Sequence, residues 1–183
     1  MLYKAIVELT QAPFHGPVKE NGMEARMTVE RILKVKGPHV PTVVPEALIS
    51  EVIAALESER TGAFVVSADG VHIDGIVSDR DVVRGLLNFG PAVLQKTARD
   101  LMTSQVLTCT ANDRVAGVMA LMDNHEIRHV PVTEMGRLAG MVSINDIVKL
   151  RLGEVQSEAE AMRTYINGDC AVLDPLIRAS PPN

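Results

Sequence analysis

GIVSDRDVV, residues 75–83, and GMVSINDIV, residues 140–148, are two versions of one segment. Gly75 matches Gly140, Val77 matches Val142, Ser78 matches Ser143 and Asp81 matches Asp146, all at an offset of 65. Further upstream an offset of 66 aligns Thr42 with Thr108, Val52 with Val118, Ala54 with Ala120 and Val66 with Val132. The extra residue of the first copy falls in SADGVHID, against TEMGRLA in the second. Both stretches carry a glycine turn, where a change of length between paired strands costs little. A period of about 65 is too long for a solenoid unit, and it occurs only twice.

Each copy reads alike. A short strand is expected at 42–44 and 107–110, then a helix at 47–58 and 114–124, where Leu48, Val52, Ala55 and Leu56 recur at helical spacing. Strands follow at 63–67 and 130–133, then at 75–77 and 140–142 after the hairpin, and a second helix opens just past each Ser. A lead-in helix precedes each copy, at 29–34 and 98–102. The pattern predicts an α/β fold of two β-α-β-β-α repeats packed about a pseudo-twofold axis. The first repeat spans 28–90 and the second 91–152, with a long helix running on over 145–168 and Gly168 as its expected stop. Residues 1–27 read as a loosely ordered extension and 169–183 as a mobile tail.

Composition narrows the function. Aromatics make up 3% of the chain and Trp is absent, so the core is aliphatic and a bound base would lie between aliphatic side chains. A net charge of −5 with scattered basic residues argues against a nucleic-acid partner. No apolar run approaches the 18 residues or so that span a bilayer, and the N-terminal stretch, broken by Glu8, does not read as a secretory signal. Cys109 and Cys170 form no disulfide framework and no metal-ligand spacing, which fits reduced thiols and a cytoplasmic location. His125 and His129 are four apart, but the repeat puts His129 in a strand, off the face of any shared helix; no metal site is expected. There is no G-x-S-x-G, no P-loop and no G-x-G-x-x-G, so the chain is expected not to be an enzyme and to need no catalytic cofactor.

The Ser-x-x-Asp pairs, Ser78 with Asp81 and Ser143 with Asp146, carry two readings. Ser followed three residues later by a carboxylate is close to a capping box, and an acid in the first turn complements the helix dipole. Equally, a carboxylate accepts two hydrogen bonds side by side, which suits the vicinal 2′- and 3′-hydroxyls of a ribose, and the free amides of a helix start suit an anion. The two roles can coexist.

With its duplicated Gly-h-Val-Ser-x-x-Asp ending, its IRHVPV segment at 127–132 and its Tyr-Ile-x-Gly near 165–168, the chain resembles the CBS-domain family over residues 28–168. It looks like the stand-alone bacterial members that consist of a single pair of repeats. The resemblance implies a disc-like Bateman module that binds adenosine-containing ligands (AMP, ADP, ATP or NAD) between its repeats and forms a homodimer. Asp81 and Asp146 would hold ribose, with Ser78, Ser143 and Arg80 near ribose or phosphate. Thr42, Val43, Val44, Thr61, Gly62, Ala63, Thr108, Cys109, Val130 and Pro131 would line the adenine pockets. Arg128 and His129 would reach the phosphate of the ligand held by Asp81. Their counterparts are Gly62 and Ala63, and Asn145 stands opposite Arg80, so the Asp81 cleft is expected to be the richer in phosphate-binding charge.

The implied function is a regulatory sensor whose dimer is read by an effector protein. The alternatives are a ligand-free dimerisation module, or a regulatory subunit acting in trans on an enzyme such as inosine monophosphate dehydrogenase. The last helix bears on this. Val148, Leu152, Val155, Ala159, Met162 and Ile166 repeat at spacings of 4 and 3, a stripe that either covers the module's own core or forms a homodimer seam. Gly153 within that helix suggests close packing or a bend.

Overall fold

The computed structural model describes residues 27–37 and 39–177, with side chains as far as Tyr165. The extension before Met27, the side chains of Ile166 and Cys170, and residues 178–183 lie outside the described residues. In chain order the elements are α1 (Val29–Lys36), β1 (Thr42–Val43), α2 (Ile49–Ser58), β2 (Ala63–Val66), β3 (Gly75–Ser78), α3 (Asp79–Phe89) and a 3-10 turn (Gly90–Gln95). The second half continues with α4 (Ala98–Leu101), α5 (Val115–Asn124), β4 (His129–Glu134), β5 (Arg137–Ser143) and α6 (Ile144–Ile177). Residues up to Asp146 form one compact unit, and those from Ile147 a second.

In the first repeat the sheet runs β1-β2-β3, with β1 parallel to β2 and β2 antiparallel to β3, Ala63 opposite Ser78. The β2 sequence AFVV is buried at every position, as a strand covered on both faces must be. Ile49 and Val52 of α2 pack with Phe64, Val66, Val77, Val93 and Ala98 into an aliphatic core that contains one aromatic ring. The second repeat copies this plan. Arg60 and Glu126, equivalent in the two copies, both end a helix with φ near +50° (51° and 53°). The β4–β5 hairpin closes on Met135 and Gly136, both at positive φ (49° and 76°), the handedness that suits a two-residue hairpin turn. The longer first hairpin is held instead by Asp69, whose carboxylate accepts from the amides of Val71 and His72.

One expectation needs correcting, and one arrangement was not foreseen. The strand expected at 107–110 is reduced to a single bridge, Cys109 opposite Val132. In the first repeat Val65 N donates to Pro41 O, and Ser67 N to Val43 O. In the second, Thr133 N donates to Cys109 O, but Val65's counterpart is Pro131, which has no N–H to give. The lead-in helices lie where expected, yet each serves the other copy. Ala98 of α4 enters the first-repeat core, its amide bonded to Ala47 O, while Thr103 bridges to Ile76. Val29 of α1 bonds Asp113 O, and Thr28 bridges to Arg114.

This exchange explains the motif glycines. A Cβ at Gly75 would lie 2.6 Å from Met102 Sδ, and one at Gly140 would lie 2.7 Å from Leu33 Cδ2. Leu33 and Met102 are themselves equivalent, five residues past Thr28 and Thr97.

Helix α6 is one continuous helix that passes through Gly168, since a glycine without a left-handed turn weakens a helix by about 1 kcal/mol and does not end it. Along it Val148, Leu152, Val155 and Met162 are between 51% and 72% exposed. A Cβ on Gly153 would meet nothing within 4 Å. Helix α3 leaves Val83, Leu86, Leu87 and Phe89 exposed as well. No described helix is long and apolar enough to cross a membrane.

Candidate functional site

Each Ser-x-x-Asp pair sits where a strand passes directly into a helix, β3 into α3 and β5 into α6. Asp81 Oδ2 accepts from Ser78 N at 2.9 Å and from Ser78 Oγ at 2.6 Å. Asp146 Oδ2 accepts from Ser143 N at 2.8 Å and Ser143 Oγ at 2.7 Å, and Asp146 N donates back to Ser143 Oγ at 3.2 Å. The helix-starting role is therefore realised at both. It engages one carboxylate oxygen; Oδ1 of Asp81 takes none of these bonds and lies 3.8 Å from Arg84 Nη1. Neither carboxylate stands in open solvent, their side chains being 14% and 17% exposed.

The two turns also differ in a residue that sequence reasoning missed. Lys36, on the last turn of α1, donates from Nζ to Asp146 Oδ2 and to Met141 O, both at 2.9 Å. Partial burial works to raise the Asp146 pKa, but the hydrogen bonds from Lys36 and Ser143 outweigh it and hold the carboxyl below its usual range. Helix α4 stops at Leu101, so the lead-in helix brings no cation to Asp81: the position equivalent to Lys36 is Gln105, beyond the helix end.

Between the two helix starts lies a cleft of about 150 Å³ lined by Gly62, Asp79, Arg128, His129, Ser143, Ile144 and Asn145. The backbone here is symmetric: Asp79 N donates to Gly62 O, and Ile144 N to Arg128 O. The side chains are not. Arg128 Nη2 donates to both oxygens of Asp79, at 2.8 and 3.0 Å. Its pseudo-twofold mate is Gly62 beside Ile144, with no charge to pair. The Arg128–Asp79 pair is half exposed, so it contributes at most about 1 kcal/mol and mainly sets direction. Arg80 Nη1 donates to Glu126 O at 2.6 Å. His129 packs over Gly62, where a Cβ would come within 2.8 Å of His129 Cε1. Burial, and then the Arg128 charge, push the His129 pKa below its usual value, so the ring is neutral in the folded chain at neutral pH.

Of the residues proposed for ligand contact, Gly62, Arg128, His129 and Ser143 meet at this cleft, while Asp79, Ile144 and Asn145 were not foreseen. Arg128 turns to Asp79, two residues before Asp81. Ala63, Val130, Pro131 and Cys109 are buried, Val43 is half-buried, and Thr42, Val44 and Thr108 are exposed at the strand ends. Thr61 Oγ1 bonds Ala63 O. Burial pushes the Cys109 thiol up to about 12, so it stays protonated. His125 caps the end of α5 and His129 opens β4, and among the described residues no group of three side chains could hold a metal ion.

The CBS-domain family model matches residues 30–88 and 98–153. A CBS-domain containing protein from Agrobacterium tumefaciens is 41% identical, covering 68% of this chain and 99% of its own, with a TM-score of 0.66. A CBS domain protein from Pyrobaculum aerophilum, solved in complex with AMP, is 29% identical over 66% of this chain and 89% of its own, with a TM-score of 0.58. A mitochondrial CBS domain-containing protein of Arabidopsis thaliana is 28% identical over 82% of this chain and 77% of its own length. Two family matches, one on each copy of the strand-helix-strand-strand-helix plan, meet a fold in which Ser78–Asp81 and Ser143–Asp146 occupy equivalent turns: the chain belongs to the CBS-domain family.

Proposed function

We propose that this chain is a non-catalytic sensor that binds an adenosine-bearing metabolite between its two repeats and passes the signal on through a homodimer. One observation carries the reading: two half-hidden carboxylates, each at the start of a helix, whose turns supply Asp79 on one side and Ser143, Ile144 and Asn145 on the other to a single cleft. The AMP complex of the Pyrobaculum aerophilum relative supports the ligand class. Asp81 would take the ribose diol across both carboxylate oxygens, Oδ2 sharing its lone pairs with the helix start. The cleft is smaller than the roughly 300 Å³ of ordinary ligand pockets, so binding requires Arg128 to swing from Asp79 toward the phosphate. That exchange of partners would couple occupancy to the packing of the repeats, provided the ligand prefers one arrangement over the other.

The exposed stripe of α6 supports the second copy as partner. With Leu152 and Ala159 at a positions and Val148, Val155 and Met162 at d, Glu158 falls at g and Arg163 at the e position five residues on. In a parallel pair of helices these would make two complementary charge contacts.

Calorimetric titration with AMP tests the site. Asp81→Ala should remove most of the binding and Asp146→Ala less. Equal losses contradict the inequality of the two clefts, and no affinity in the unaltered protein contradicts the reading itself.

A further inference from the structure

The repeats are equivalent in backbone but not in what meets their carboxylates. At Asp81, Oδ2 accepts from the Ser78 amide and hydroxyl, and the basic side chain beside it, Arg84, stands back at 3.8 Å from Oδ1. At Asp146, Oδ2 accepts the same two bonds and a third from the Lys36 ammonium. Lys36 is not a solvent-borne charge that brushes past: Nζ is also bonded to Met141 O, and its side chain is 30% exposed. It is delivered there by the exchange of lead-in helices, and specifically by the extra turn that makes α1 eight residues against four in α4. An ammonium donating to a carboxylate is chemically what a sugar hydroxyl would be, a hydrogen-bond donor, with a full charge added.

We propose that Lys36 is a built-in occupant of the second sugar site. Its ammonium competes with a ribose diol for Asp146 and so confines ligand binding to the Asp81 cleft. This rests on the reading of the two aspartates as sugar-binding groups. It differs from the inequality expected from Arg128 and His129, because it locates the cause in a competing donor at Asp146 and not in missing phosphate charge.

The test is calorimetry on the full chain with AMP and adenosine. The unaltered protein should bind one AMP per chain. Lys36→Met should open a second site for both AMP and adenosine, at least about tenfold tighter than any residual second-site binding before the change. Lys36→Gln, which keeps a neutral donor, should give a smaller gain, and thermal melting of each variant establishes that it is folded. Two AMP molecules bound with equal affinity by the unaltered chain overturn the assignment. So does a Lys36→Met protein that binds as the unaltered one does, or one that loses AMP but not adenosine, which would make Lys36 a phosphate contact. If neither AMP nor adenosine binds the unaltered chain or Lys36→Met, the sugar-site reading fails and the Lys36 role falls with it.

Discussion

At the scale of single residues, the motif glycines separate steric need from chemistry. Gly75 faces Met102 close to its stem, with Cγ at 2.8 Å and Cβ at 3.1 Å from where a Cβ would be, whereas Gly140 faces mainly the tip of Leu33, with Cγ at 3.5 Å. A leucine tip can turn away; the stem of a methionine cannot without moving its backbone. Gly75→Ala should therefore destabilise the fold by about 1–3 kcal/mol and Gly140→Ala by less, as read by denaturant midpoints. A reversed order would contradict the exchange of lead-in helices. The glycines, serines and aspartates of the motif were legible in the sequence because their relations are local, spanning at most a strand end and one helical turn. Lys36 was not: it meets Asp146 across 110 residues of chain, and no periodicity marks a lysine that reaches another repeat. Asp79 escaped for the same reason, since it is paired with Arg128 from across the cleft.

At the scale of elements, most helices and strands followed from spacing alone. The failures have identifiable causes. The first strand of the second repeat lost its ladder to Pro131, a signal present in the sequence but interpretable only once Val65 was seen to donate at the equivalent place. Gly168 was read as a stop, although a glycine ends a helix only where the chain turns left-handed. The stripe of α6 was recognised, but burial could not be judged from the pattern, because a heptad looks the same whether it faces its own chain or another. Its exposure makes the seam testable. Val155 is 64% exposed and lies at a d position, so Val155→Asp should leave the fold intact and convert a dimer to a monomer at micromolar concentration by light scattering. A monomeric unaltered protein would contradict the seam.

At the scale of the whole molecule, duplication supplies the scaffold and divergence supplies the function. Two equal backbones, tied together by exchanged helices, bring the starts of two equivalent helices to one cleft, lined by Asp79 on one side and Ser143, Ile144 and Asn145 on the other. Unequal side chains then make the halves different: Arg128 with Asp79 on one side against Gly62 with Ile144 on the other, and Lys36 at Asp146 alone. In the proposed site Asp81 grips both hydroxyls of a ribose. That grip is tested most directly by titrating the protein and its Asp81→Ala variant with AMP and with 2′-deoxy-AMP. A hydrogen bond to a charged group is worth about 1.5–3 kcal/mol, so loss of the 2′-hydroxyl should weaken binding about 10- to 100-fold in the unaltered protein and make no difference in the variant. Equal affinity of the unaltered protein for the two nucleotides would contradict a ribose grip by Asp81.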